Sequence, residues 1–245
     1  MAADNELRGL TYDKVVALDS VVARLRANAE YVSLFAAAFA DAGSSEPADP
    51  QHLVTTLRLR RAIAAYLREL VTPRAPIDRY LAGDDAALTS PQKEGLALFV
   101  GKANCVACHT GSLFSDFTPH VIGVQQIGLG RDTTPGDDLG WGEHGGTPYA
   151  FRTPPLRFVT RTAPYFHDGV AATLMDVLLF KNAGRSAERR IAQASLDPAV
   201  HPQSLTDGEL SLIVEFLASL DDTVTTAGPL FQAPARVPSG LPIPK

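Results

Sequence analysis

Apolar positions in the first seventy residues recur at helical spacing. Val15, Val16, Leu18, Val21, Val22 and Leu25 fall on one face of a segment predicted to be helical from Thr11 to Arg26. Asp49-Pro50, a cap followed by a first-turn proline, is expected to open a second long helix, with Leu53, Leu57, Ile63, Leu67 and Leu70 as its buried stripe. Residues 11–72 thus read as helices throughout, and Pro73 and Pro76 mark a boundary after them. A third helix is predicted from Ser90 to Val100, with Ser90 as cap and Pro91 in the first turn. Periodicity then fades from Thr110 to Arg161, where glycine recurs at 111, 123, 128, 130, 136, 140, 142, 145 and 146. An irregular stretch of this length inside a compact domain usually has a function, such as covering a bound group. Two more helices follow the capping pairs Thr173/Asp176 and Thr206/Glu209. The last twenty residues hold five prolines and are expected to lie as an extended surface tail. No internal repeat is visible.

Composition narrows the class. The chain has 245 residues, 45% apolar and 20% charged, which suits a globular protein. Its longest apolar run, Leu34 to Ala40, is far short of the roughly 20 residues that span a bilayer. A net charge of −5 argues against a nucleic-acid partner. The opening Met-Ala-Ala-Asp-Asn-Glu has neither the basic nor the apolar region of a signal peptide, so the protein is expected to be cytoplasmic or to be given without its leader.

The two cysteines, Cys105 and Cys108, are the only ones in the chain. Such a pair can be a redox dithiol, half of a zinc site or a haem attachment point. A dithiol wants a preceding strand, whereas the segment before Cys105 reads as helix. Zinc needs two further ligands, and His120 and His144 form no finger spacing with the pair. Cys105-Val106-Ala107-Cys108-His109 is the attachment motif of a c-type haem: thiols three residues apart share one helical face, and the next imidazole can bind iron. The formal G-x-G-x-x-G at Gly140 to Gly145 is rejected as a nucleotide loop, since it neither follows a strand nor opens a helix.

Several segments resemble the bacterial di-haem cytochrome c peroxidases and their MauG relatives, mainly the carboxy-terminal haem domain. They are Gly95-Leu-Ala-Leu-Phe99, the haem motif, Phe151-Arg-Thr-Pro-Pro-Leu-Arg157, and Thr162-Ala-Pro-Tyr-Phe-His-Asp-Gly169 with Thr173-Leu174. Upstream, Val21 to Phe35 and Pro76 to Asp84 also resemble that family, so the likeness covers most of residues 12–222. The family carries two haems, but only one attachment motif is present here. The chain is expected to start within the latter part of the family's first domain. The family's inter-haem tryptophan belongs upstream of Glu30-Tyr31, whereas the single tryptophan is Trp141.

The resemblance implies a mainly α fold with three parts: a helical segment over 1–72, a cytochrome c haem domain over 73–225, and a proline-rich tail over 226–245. It implies one covalent haem c at Cys105, Cys108 and His109, with His109 proximal. Hydrogen peroxide reduction would be the overall reaction, fed by a small donor protein of cytochrome c or cupredoxin type, alongside a second haem domain and in the periplasm. Catalytic residues are not assigned. The alternative is a mono-haem electron carrier or haem-based sensor without peroxidase activity, and a non-haem thiol or metal protein is a third reading. The family's second axial ligand, Met or Tyr, corresponds in position to Lys181. That lysine is either an amine ligand or a side chain that snorkels to solvent or pairs with a propionate. Met175 is the thioether alternative, and an open sixth position is the third. Arg152 and Arg157, with Arg161 nearby, are candidates for the haem propionates. His167 is expected at the haem edge and His120 is expected to be structural. The family's Ca2+ ion would use carbonyls of Thr162 and Pro164.

Overall fold

The computed structural model describes residues 14–39, 50–127 and 138–243. The expected start of the first helix at Thr11, the Asp49 cap, the end of the apolar run at Ala40, and the glycines at 128, 130 and 136 lie outside them. The chain is mainly helical and forms two compact units, one of residues 73–225 and one in which the residues up to Thr72 join those from Thr226 onward. No helix among the described residues is long and apolar enough to cross a membrane.

In the first stretch the helices are α1 (Lys14–Arg26), α2 (Ala29–Ala38), the single turn α3 (Pro50–Leu53) and α4 (Thr56–Glu69). The long helix expected from Pro50 is therefore broken. The Thr55 side chain accepts the Arg58 amide and starts a new helix, while Val54 is withdrawn fully into the core with Val22 and Phe35. The expected stripe is also overturned, because Leu57, Ile63 and Leu67 are exposed. Spacing shows which side chains share a face, whereas burial depends on what packs there. Residues 226–243 are tied to the first stretch: the Asn28 side chain donates to the Pro238 carbonyl at 2.9 Å, and Arg236 pairs with Glu30 at 2.9 Å.

The larger unit is built on α5 (Pro76–Leu81), α6 (Ser90–Val100), α7 (Leu174–Ala183) and α8 (Asp207–Ala218). Thr89, one residue before the expected Ser90, caps α6, because its hydroxyl accepts the Gln92 amide while Gln92 accepts the Thr89 amide. Helices α6 and α8 cross tightly at Gly95, and Phe99, Phe114 and Phe216 form an aromatic cluster with ring centres 5.0–6.2 Å apart. The irregular region holds an antiparallel pair that its glycine pattern hides, β1 (Pro119–Val121) against β2 (Ala150–Arg152), registered Pro119 to Arg152. Residues Trp141–His144 form a single 3-10 turn.

Both predicted capping boxes are present, at Thr173/Asp176 on α7 and Thr206/Glu209 on α8. Replacing Thr206 with alanine orphans the Glu209 amide and is expected to lower stability by about 1 kcal/mol, read as a shifted denaturant midpoint with unchanged slope.

Candidate haem site

A turn on the surface of the larger core presents the two thiols. Asn104 adopts a left-handed conformation (φ 46°) and ends the run from α6, after which Cys105–Ala107 form one 3-10 turn. The Cys108 and His109 amides both donate to the Cys105 carbonyl, at 3.3 and 2.9 Å, so thiols and imidazole are held on one short arc. The His109 Nδ1 donates to the Phe114 carbonyl at 2.9 Å. That bond fixes the tautomer and leaves Nε2 with the lone pair, as a metal-ligating histidine requires. Phe114 itself has φ 54°, which bends its carbonyl back toward the imidazole.

Beside this arc lies a cavity of about 490 Å³, within the range of small-molecule and cofactor sites. Cys105, Cys108 and His109 form part of its wall, and aliphatic residues of α7 and α8 form another. Along α7 the lining residues are Leu174, Val177, Leu178 and Lys181. Arg152, His120 and His167 also line it, as do Thr162 and Pro164.

Burial pushes the Cys105 thiol up to about 11 and also raises Cys108. Redox-active dithiols have depressed pKa values, so this pair is poorly suited to thiol exchange. Among the described residues Cys108, Asp116 and His120 group within metal-binding distance. However, both His120 ring nitrogens are committed, Nδ1 to Asp197 at 2.7 Å and Nε2 to Asp116 at 2.8 Å. His144 lies away from the cavity, in the turn beside Trp141, so the expected zinc set of two cysteines with His120 and His144 is not brought together among the described residues.

Burial opposes the His120 charge, but the two carboxylates outweigh it and hold its pKa above 6.5. A raised folded value means that this clamp stabilises most below the ordinary imidazole range and fades as pH rises through the raised value. The melting-temperature difference between the protein and His120→Gln should therefore shrink as the pH rises above the ordinary imidazole range. A difference that does not change with pH would remove the charged clamp.

The other expected residues divide. His167 stacks on Phe151 with ring centres 3.8 Å apart, and its Nε2 meets the Gln126 side-chain nitrogen at 3.0 Å. The Gln126 oxygen accepts the Asp138 amide, so Gln126 donates and His167 accepts through Nε2, leaving its proton on Nδ1. Sequence reasoning missed Gln126, which carries no motif of its own, and gave Phe151 no role of its own although it opens the Phe151–Arg157 segment. The Arg152 guanidinium lies 5.3 Å from the Phe117 ring centre, at the cavity. Arg157 is not at the cavity, contrary to expectation: Asp78 binds it at 2.6 and 2.9 Å and the Ser112 carbonyl at 2.8 Å. The Asp78 carboxylate therefore already neutralises this guanidinium. Arg161 pairs with Asp221. Met175 packs on the hydrophobic core and is absent from the cavity wall. Thr162 donates its hydroxyl to the Val159 carbonyl, with no carboxylate cluster beside it among the described residues.

The site's chemistry fits haem c: two adjacent thiols for thioether bonds, a tautomer-locked imidazole, an apolar wall and an arginine at the rim. Comparison with known proteins agrees. The model of the family described as di-haem cytochrome c peroxidase matches residues 10–86. The methylamine utilization protein MauG of Methylorubrum extorquens is 36% identical over 210 residues, covering 84% of this chain and 53% of that protein. Cytochrome c551 peroxidase of Pseudomonas aeruginosa is 38% identical over 152 residues, 61% of this chain and 41% of the relative. A solved MauG-like protein associated with microbial copper homeostasis superposes with TM-score 0.71 and 30% identity, covering 89% of this chain and 66% of that one. The diheme peroxidase BthA from Burkholderia thailandensis gives 0.59 and 26%, covering 79% and 56%. The chain spans about half the length of the curated relatives it matches. With its mainly helical cytochrome-c-like fold and cysteine-histidine turn, the chain belongs to the di-haem cytochrome c peroxidase/MauG family of haem proteins.

Proposed function

We propose that this chain holds one haem c, joined to Cys105 and Cys108 and ligated by His109, and that it relays electrons for hydrogen peroxide reduction. The observation that carries this reading is the shared wall of one apolar cavity, where both thiols stand beside an imidazole whose Nδ1 proton is spent on Phe114. Haem iron supplies one-electron chemistry when bound. The protein's own part is positional. The Cys105–Ala107 turn would hold a haem through its thiols, and the Phe114 carbonyl orients His109 and would raise its basicity as a ligand. Aliphatic side chains of α7 and α8 line the cavity and would keep water from a haem held there, which would tune its potential. Arg152, on the cavity wall, is suited to a propionate, and His167, whose tautomer Gln126 sets, stands on the same wall.

The overall reaction would be completed with a second haem centre and a small donor protein of cytochrome c or cupredoxin type. Because thioether attachment occurs outside the bacterial cytoplasmic membrane, this reading puts the chain in the periplasm. In it, residues 73–225 are the haem domain. Bound Ca2+ is not part of it.

Steady-state peroxide turnover with a reduced donor, for this chain and for the chain supplied with a second haem domain, tests the role. Turnover that appears or rises strongly when the second domain is supplied supports an electron relay. Reversible reduction without turnover in either case would instead favour the mono-haem carrier or sensor.

A further inference from the structure

One face of α7 points into the cavity, and its residues, Leu174, Val177, Leu178 and Lys181, are spaced i, i+3, i+4 and i+7. Three are aliphatic and the fourth is an amine. A side chain needed only to fill that place would be apolar, and a lysine at a surface carries its ammonium to water. Lys181 stands instead half-buried in the cavity wall. Among the described residues no carboxylate or carbonyl lies within hydrogen-bonding or ion-pair reach of its Nζ. The acidic groups that act on it are Cys108 and Cys105, whose thiols burial keeps neutral, and Asp197, which is already engaged by His120 at 2.7 Å and by the Ala199 amide at 2.9 Å. Burial pushes the amine's pKa down, toward the neutral form that has a lone pair to give.

The helix that carries it is held at both ends. The Thr173/Asp176 box fixes its start, and Gly184 closes it in a left-handed conformation (φ 58°) against the His201–Pro202 backbone. Next to Lys181, the Asn182 side chain donates to the Leu205 carbonyl and accepts the Leu205 amide, both at 2.9 Å. The amine is therefore delivered to the cavity from a fixed support. Met175 sits off this face and packs into the core.

We propose that Lys181 Nζ is the sixth ligand of the haem iron, completing a His109/Lys181 pair. The inference rests on haem c being held at Cys105, Cys108 and His109. Ligation takes the neutral amine, so its proton passes to solvent, and the nitrogen lone pair is shared with iron with no electron transferred. A nitrogen donor at this position favours ferric iron over ferrous more than a thioether does. The midpoint potential would accordingly lie below that of the same haem with methionine there.

The test uses the matured holoprotein and two variants. The pyridine haemochrome of denatured protein first reports covalent haem; its absence defeats the haem reading itself, independently of the axial-ligand assignment. Ferric EPR and near-infrared magnetic circular dichroism then report the axial pair. The expected result is a low-spin bis-nitrogen spectrum. Lys181→Arg keeps the cation but cannot ligate, and should lose the low-spin signal while keeping its haem. Lys181→Met should stay low-spin, gain a sulfur-to-iron band and show a raised potential. A high-spin native protein overturns the assignment. So does a low-spin spectrum unchanged in Lys181→Arg, which is what a propionate counter-charge would give. Should the arginine variant fail to mature, the methionine variant decides: a spectrum and potential identical to the native protein's overturn the assignment.

Discussion

Replacing Cys105 and Cys108 together with serine should leave a polypeptide that carries no haem after denaturation. Heating in detergent followed by a peroxidase-activity stain, or mass spectrometry of the intact chain, reads this directly: the native protein should gain one haem's mass and the double variant none. Both thioethers go at once, so the loss should be complete. Each single variant should keep one bond and a reduced fraction of haem. The effect should be local, because the thiols make few other bonds in the fold; Cys105 has one weak contact, to the Ala103 carbonyl at 3.7 Å. The helical circular dichroism of α6 and α8, which pack on each other, should survive. If the double variant retained covalent haem, or if the native protein carried none, the proposed function would be lost with it.

Gly95→Ala should be severely destabilising, even though alanine is the better helix former by up to about 1 kcal/mol. Gly95 sits where α6 and α8 touch backbone to backbone. An added Cβ would overlap the Leu212 carbonyl oxygen and come within 2.8 Å of the Phe216 Cβ. Neither neighbour can yield. The oxygen belongs to a helical hydrogen-bond ladder, and Phe216 is fully buried in the aromatic cluster with Phe99 and Phe114. Separating the two helices to make room opens that core, at a net cost of about 3 kcal/mol. For a chain of this size that is roughly 6–12 °C in melting temperature. An unchanged or raised melting temperature, as propensity alone would give, would show that the two helices can move apart at little cost.

Much of this molecule could be read in its residue pattern. The spacing of Thr173 and Asp176, and of Thr206 and Glu209, located two helix starts to the residue, because a capping box is a local hydrogen-bond circuit that needs no tertiary partner. The start of α6 slipped by one residue, since Thr89 and Ser90 are both competent caps and only Thr89 has its partner three residues on. The break at Thr55 went unseen because burying Val54 against Val22 and Phe35 outweighs helix continuity there. The β1–β2 pair was invisible because its strands are three residues each and joined across a long insertion.

The same division runs through the site. By itself the sequence determined the cysteine pair, the adjacent histidine and the order of motifs that marks the family, because these depend on short-range spacing. Only the tertiary structure decided which charged groups reach the cavity. Asp78 lies far from Arg157 along the chain yet captures it, while Lys181 lines the same cavity as the thiols with no ion-pair partner among the described residues. Spacing governs neighbours on one helix turn; electrostatic partners are settled by through-space distance, which exists only once the chain is folded.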